Sequence, residues 1–376
     1  MSSHPLVRAT PFHARAAASN LFNRWTARNG FTLADDYGDA LAEALAGRTT
    51  VIVADISWRW RVFIEGASAA GCISRLMTKD VNALAPGASL KALWLADGGA
   101  VRGAAVVARF ASDQFLLASA ATDAGWIAEA ARRFGASLRD ATLQEGGLAL
   151  IGPYAEAVLQ AAGLGADIVP LCFRRIFWRG LDVTVSRWGE QDGYEIWCKA
   201  DDCLILWDRL MRAGAQFGIQ PAGVSATDIL DVEIGVPRPH RDYRPASDGF
   251  ATDPTPASLG LETLIDEAHA GFNGYRAWLA ARGSEKSSLV AVEIDSEAPA
   301  SFTPLCLFGK VIGHTLTSVH SPVLRRAIAL ARIDKAHAAP GTVLSLQSPL
   351  SLASQSVHSV AARVASFPFV KPTAPL

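Results

Sequence analysis

Apolar residues recur at helical spacing from Asp36 to Ala46, a run closed by Gly47, and the period then changes. The next stretch, TTVIVADISWRWRVFIEG, alternates β-branched and aromatic residues with polar ones and predicts one or two strands. A helix is expected over Ala67 to Met77, ended by the turn-rich NALAPG. SLKALWLA and GAAVVARF flank the Asp97-Gly98-Gly99 turn as strands, QFLLASA adds a third, and ATDAGWIAEAARRFG has the pattern of an amphipathic helix. A comparable cycle follows: LALIGP as a strand, YAEAVLQAAG as a helix, IFWRGLDVTVSRW as a strand pair, and DDCLILWDRLMRAG as a helix closed by Gly214. Beyond about Gly283 helical periodicity weakens. SLVAVEI, TPLCLFG, KVIGHTLTSV and GTVLSLQ are short strands broken by Gly and Pro, and the strand-length spacing of RRAIALARI makes it a strand too. The order predicts an α+β fold with helices on one face of antiparallel sheets. Two α+β halves are expected, at roughly 1–145 and 146–280, followed by a small β-barrel or sandwich over 285–376. A cleft between such halves is where small-molecule sites tend to lie.

Composition narrows the function classes. Lys and Arg number 35 and Asp and Glu 36, with no long run of one sign, so nucleic acid is not an expected partner. The first 20 residues build no continuous apolar core, and no later stretch runs about 18 apolar residues, which predicts a soluble chain without a membrane span. Five cysteines without CxxC spacing predict neither a disulfide framework nor a metal site; a reducing cytoplasm fits them, as small buried hydrophobes. His314 and His320 are strand residues without metal-ligand companions, and no GxGxxG, P-loop or GxSxG pattern is present. A small-molecule substrate is expected; whether the chain forms a homo-oligomer stays open.

Several segments, in order along the chain, point to one family. SRWGEQDGYEI (Ser186 to Ile196) resembles a shortened SRTGYTGEDGFEI, and QPAGVSATDILDVEIGVP (Gln220 to Pro237) resembles KPAGLGARDSLRLEAGLP. Phe272-Asn273-Gly274 is similar to a FIGK turn, and GHTLTSVHSPVLRRAIALARI (Gly313 to Ile333) to G-x-x-T-S-x-x-x-S-P-x-L-x-x-x-I-A-L-A. ADISWRWRVFIEG and LMTKDVNALAPG stand where that family has FDVSHMGKIEVSG and LTTNDVAKLKPG, and FPFVKP lies near the end. The chain thus resembles a divergent member of the aminomethyltransferase (glycine-cleavage T-protein) and tetrahydrofolate-dependent demethylase superfamily. The resemblance implies two α+β halves around a central folate-binding channel, a C-terminal β-barrel, and tetrahydrofolate as acceptor of a one-carbon unit, with no metal. It makes Glu195 the first candidate for holding the pterin, Glu190 the second, with Trp188 beside them. In a strand these glutamates would otherwise be solvent-facing partners of Arg187 and Lys199.

The departures from the family bear on substrate. Arg102 and Gly103 replace the Asp-Asp that follows the Gly-Gly turn, Trp58 replaces the His of DVSHMG, and Thr227 the Arg of GARD. A cation in an aromatic cleft suits an anionic or phenolic substrate, so Arg102 is expected to bind it, between flat walls supplied by Trp58 and Trp60. Arg102 at a surface hairpin end, and tryptophans in the core, are the alternatives. The loop IGVPRPHRDYRPASDG (Ile234 to Gly249) concentrates Arg238, His240, Arg241, Asp242, Tyr243 and Arg244. A tyrosine whose phenolate neighbouring arginines favour can serve as general acid or base, and the resemblance to the aromatic O-demethylase branch of the superfamily, where a tyrosine has that part, makes Tyr243 the first candidate and His240 the second, with Arg241 on the substrate. The alternative is a solvated loop held by Arg–Asp pairs. Two reactions compete: methyl or aminomethyl transfer or O-demethylation onto tetrahydrofolate, and release of formaldehyde from a hydroxymethyl group by a folate-independent lyase. A non-catalytic folate-binding assembly factor is a third reading, without its KGCYxGQE motif.

Overall fold

Alternation in the strand Val51–Asp55 sends Val51 and Val53 into one hydrophobic core and Ile52 into another. A strand buried on both faces reads as a continuous apolar run, as VIVA does here. The computed structural model describes residues 7–165, 167–189, 191–249, 254–347 and 359–371. Val51–Asp55 lies near one edge of a six-stranded sheet ordered Phe173–Trp178, Leu181–Ser186, Gly193–Lys199, Glu145–Ile151, Val51–Asp55 and Ile219–Ala222. All its pairings are antiparallel except the last. Helices Ala155–Ala162 and Cys203–Gly214 cover one face, while Ala40–Thr49 and Val224–Ile234 cover part of the other.

A second, five-stranded antiparallel sheet runs Ser89–Leu95, Val101–Ala111, Gln114–Ser119, Trp60–Glu65 and Ser137–Asp140, with helices Ala69–Leu76 and Ala124–Phe134 on one side. The segment expected as one or two strands is therefore two, and they belong to different sheets. Val51–Asp55 pairs with Glu145–Ile151 and Ile219–Ala222, so one strand of the first expected half joins the sheet of the second. The Asp97–Gly99 turn is tight: Gly99 has φ +83° and a Cβ there would stand 2.7 Å from the Trp278 backbone nitrogen.

The first amphipathic helix starts and ends later than its pattern suggested. Asp39 caps Ala40–Thr49 by accepting from the amides of Leu41 and Ala42 at 2.9 and 3.1 Å. Gly47 lies inside it as a contact point, where a Cβ would stand 3.1 Å from Leu230 and 3.2 Å from Ile52.

Strands Ser287–Ile294, Arg326–Asp334, Lys310–Ser321, Pro304–Leu307, Val343–Gln347 and Ser359–Ala365 close a six-stranded barrel around Val292, Leu305, Ala329 and Leu344. Among the described residues no helix is long and apolar enough to cross a membrane.

Candidate functional site

In the strand Gly193–Lys199 the side chains of Tyr194, Ile196 and Cys198 enter the helix-covered core, which leaves Glu195 and Trp197 on the opposite face. There Glu195, 3 % exposed, lines a cavity. The strand's own face, the Trp25–Arg28 and Phe31–Ala34 hairpin and the start of helix Val224–Ile234 bound it. A second cavity lies against the five-stranded sheet at Lys91, Ala104, Val106 and Ala118, closed by Trp188, Tyr243 and Leu261. Arg59, Gly189 and Arg238 line both, so the two spaces share a wall.

The first cavity carries three carboxylates, Asp55, Glu195 and Asp231, against three cations, Arg28, Arg59 and Arg238. Glu195 Oε1 accepts from Arg59 Nη1, and Oε2 from the Trp197 indole at 3.3 Å. Behind them the buried Arg61 stacks on Trp197 at 3.9 Å and bonds Glu145. Arg238 forks onto Asp231 at 2.7 and 2.8 Å. Burial pushes the Asp231 carboxyl up, but Arg238 and Arg241 together outweigh burial and hold it below the ordinary aspartate value. Asp55 goes the other way. Burial raises it above the ordinary value although Ser57 and Thr10 bond its oxygens, the amide at 2.9 Å and the Thr10 hydroxyl at 2.5 Å. Burial likewise raises Tyr37, whose phenol stays protonated at the cavity wall.

The structure brings Glu195 and Trp58 to the first cavity and Trp188 and Tyr243 to the second. Glu190 lies outside the described residues. Other expectations need correction. Trp60 is core, 3 % exposed and packed with Ile73, Leu76 and Trp94, because its strand turns that face toward the helices. Arg102 lines neither cavity; its fork is closed on Asp123 at 2.7 and 2.8 Å and its plane lies over Trp126, so it is no free cation for a substrate. Arg241 also lines neither, being spent on Asp228, Asp242 and the Val236 carbonyl. His240 sits on the outer side of its loop, its side chain 43 % exposed and its Nδ1 3.5 Å from Asp248. Tyr243 is in place, but its phenolate is not favoured: burial raises its pKa, and Arg238 only partly opposes that. The loop is held by Arg–Asp pairs, as its alternative reading had it, yet Asp242 and Tyr243 are buried and Arg241 is half-buried rather than solvated.

The residues not foreseen are Arg59, Asp55, Arg28, Asp231 and Arg238. Arg59 had a visible signal, since it stands where the family's DVSHMG has Met. Arg28 had none: it stacks over Trp58 at 5.4 Å and bonds Asp228, 200 residues away, beside the Thr227 that replaces an arginine.

The GCVT N-terminal domain model matches residues 12–266, and the glycine cleavage T-protein C-terminal barrel domain model matches 288–371. An aminomethyltransferase of Bacillus mycoides (strain KBAB4) is 29 % identical over 338 residues, 85 % of this chain and 88 % of that protein. One from Frankia alni (strain DSM 45986 / CECT 9034 / ACN14a) is 29 % identical over 347 residues, 90 % of this chain and 93 % of that protein. The crystal structure of glycine cleavage system aminomethyltransferase T from Bartonella henselae superposes with a TM-score of 0.85 at 22 % identity, covering 97 % of this chain and 99 % of the other. Two collinear domain matches that together span nearly the whole chain place it in the glycine-cleavage T-protein (aminomethyltransferase) family of one-carbon transferases.

Proposed function

We propose that the protein moves a one-carbon unit from a small aromatic or anionic donor to tetrahydrofolate, as a methyl transferase or O-demethylase rather than a glycine-cleavage aminomethyltransferase. The observation that carries this is the Glu195 carboxylate, buried in the wall of the first cavity among other charged and aromatic side chains. A carboxylate offers about four acceptor positions, of which Arg59 and Trp197 take two, so the amino-pyrimidine edge of a pterin has acceptors left on Glu195. Asp231 is a second acceptor in the same wall. When bound, tetrahydrofolate supplies the nitrogen that accepts the carbon. Asp55, raised by burial, holds a proton to higher pH than an ordinary aspartate and is the group in the cavity suited to proton exchange. Aminomethyl transfer is disfavoured by Arg102, Trp58 and Thr227, which stand where the family motif has Asp, His and Arg. A formaldehyde-releasing lyase needs a base, and burial keeps Tyr243 from that part.

Calorimetric titration with tetrahydrofolate, alongside intrinsic fluorescence, tests the proposal. Saturable binding is expected, weakened by about 1.5–3 kcal/mol in Glu195→Gln, which keeps the shape and removes the charge. No binding to the wild type, or equal affinity in the variant, would overturn it.

A further inference from the structure

We infer that Arg59 anchors the one-carbon donor by its anionic end, a carboxylate carried on an apolar body that sits in the second cavity. This rests on the transferase role proposed above and replaces Arg102 as the substrate cation.

Among the described residues, every charged side chain lining the second cavity is cationic: Arg59, Lys91 and Arg238. The rest of the wall is mainly Ala, Val, Pro and Leu, with Trp188 and Tyr243. An anion attached to an apolar body is the complement of such a lining. Two lining residues each carry a buried donor without a hydrogen-bond partner, Arg59 Nε and Trp188 Nε1. Buried donors are nearly always paired, so two on residues of one cavity wall point to an acceptor that the protein itself does not supply. Arg59 reaches Glu195 through Nη1 alone, which leaves Nε, half of the planar fork that grips a carboxylate, without a bond. The fold does not require this cation, because the family motif has Met at the same point. Its place on the wall common to both cavities puts a donor held by Arg59 beside whatever Glu195 holds.

The full-length protein is titrated with benzoate, 4-methoxybenzoate and cyclohexanecarboxylate and with the corresponding uncharged amides, by calorimetry and by tryptophan fluorescence. The wild type is expected to prefer carboxylates about tenfold or more. Arg59→Met should abolish the preference while amide binding stays the same, and Arg59→Lys should restore part of it. Should Arg59→Met fail to fold, as a melting curve will show, the double variant Arg59→Met/Glu195→Gln removes both charges of the pair and takes its place. Amide binding separates a lost anchor from a collapsed cavity. The inference is overturned if no carboxylate binds the wild type better than its amide, or if the preference survives in Arg59→Met or the double variant. Tetrahydrofolate titrated into the same wild-type protein reports on the transferase role separately: failure there leaves the carboxylate preference to be read by itself.

Discussion

Tyr243 and Asp55 show how burial decides chemistry residue by residue. A run of arginines in the sequence favours a phenolate at Tyr243, but only Arg238 acts on it appreciably, and desolvation prevails. The same effect in Asp55 stabilises the protonated carboxyl and has a measurable consequence for stability. A carboxyl whose folded-state pKa is raised binds more protons folded than unfolded. Its contribution is therefore fully present below the unfolded value, about 3.9, and is lost as pH rises through the raised one. Urea unfolding of wild type and Asp55→Asn from pH 4 to pH 8 isolates this term as a difference. The wild type should lose stability relative to the variant as pH rises; a difference independent of pH would show that Asp55 titrates as an ordinary aspartate.

At the scale of elements, what could be read from the sequence was whatever a single period carries. Helices such as Ala124–Phe134 have one apolar face and pack it on one core, so their patterns are plain. Helix Val224–Ile234 is different: Leu230 packs on one side and Val232 on another, while Asp228, Asp231 and Glu233 between them each meet an arginine. Its pattern is blurred because its polar positions are also buried or half-buried. Glu195 was legible as a cavity residue because DGYEI runs without a gap, and the family motif supplied the role proposed for its carboxylate. The ion ladder Arg28–Asp228–Arg241–Asp231–Arg238 was not, since it joins three separate elements, the hairpin, the helix and the loop, with the hairpin 200 residues from the helix. Arg241 is its hub, and Asp242 beside it already has one buried oxygen without a partner. Arg241→Ala should therefore cost about 3–5 kcal/mol in denaturant unfolding, the usual cost of stranding a buried charge. A cost below about 1 kcal/mol would mean that water reaches Asp228 and Asp242 readily and that the loop is held by other contacts.

For the whole molecule, one carboxylate joins parts that the chain brings together from four places. Glu233, fully buried, accepts from Arg48 Nε at 2.9 Å on helix Ala40–Thr49 and from the Ser321 hydroxyl at 2.7 Å on the barrel, while its carbonyl accepts from the amide of Val370 at 3.1 Å. Arg48 passes the connection on to Gln191, which also bonds Asp231 in the wall of the first cavity. The barrel is thus docked through the same helix that lines the first cavity. All ten tryptophans precede Ser287, so tryptophan fluorescence follows the α+β region while far-ultraviolet circular dichroism follows the whole chain. With Glu233 in place the two signals should report one transition. Glu233→Gln keeps the shape but leaves Arg48 without its buried counter-charge, which should cost about 3–5 kcal/mol. Because Gln also presents a poorer acceptor to Ser321, the barrel loses its polar tie to the helix, and the circular dichroism and fluorescence midpoints should separate in the variant. If they stay coincident and stability falls by less than about 1 kcal/mol, the barrel is held by the apolar contacts of Val232, Leu316 and Ile328 alone, and Glu233 is no more than a filled space between them.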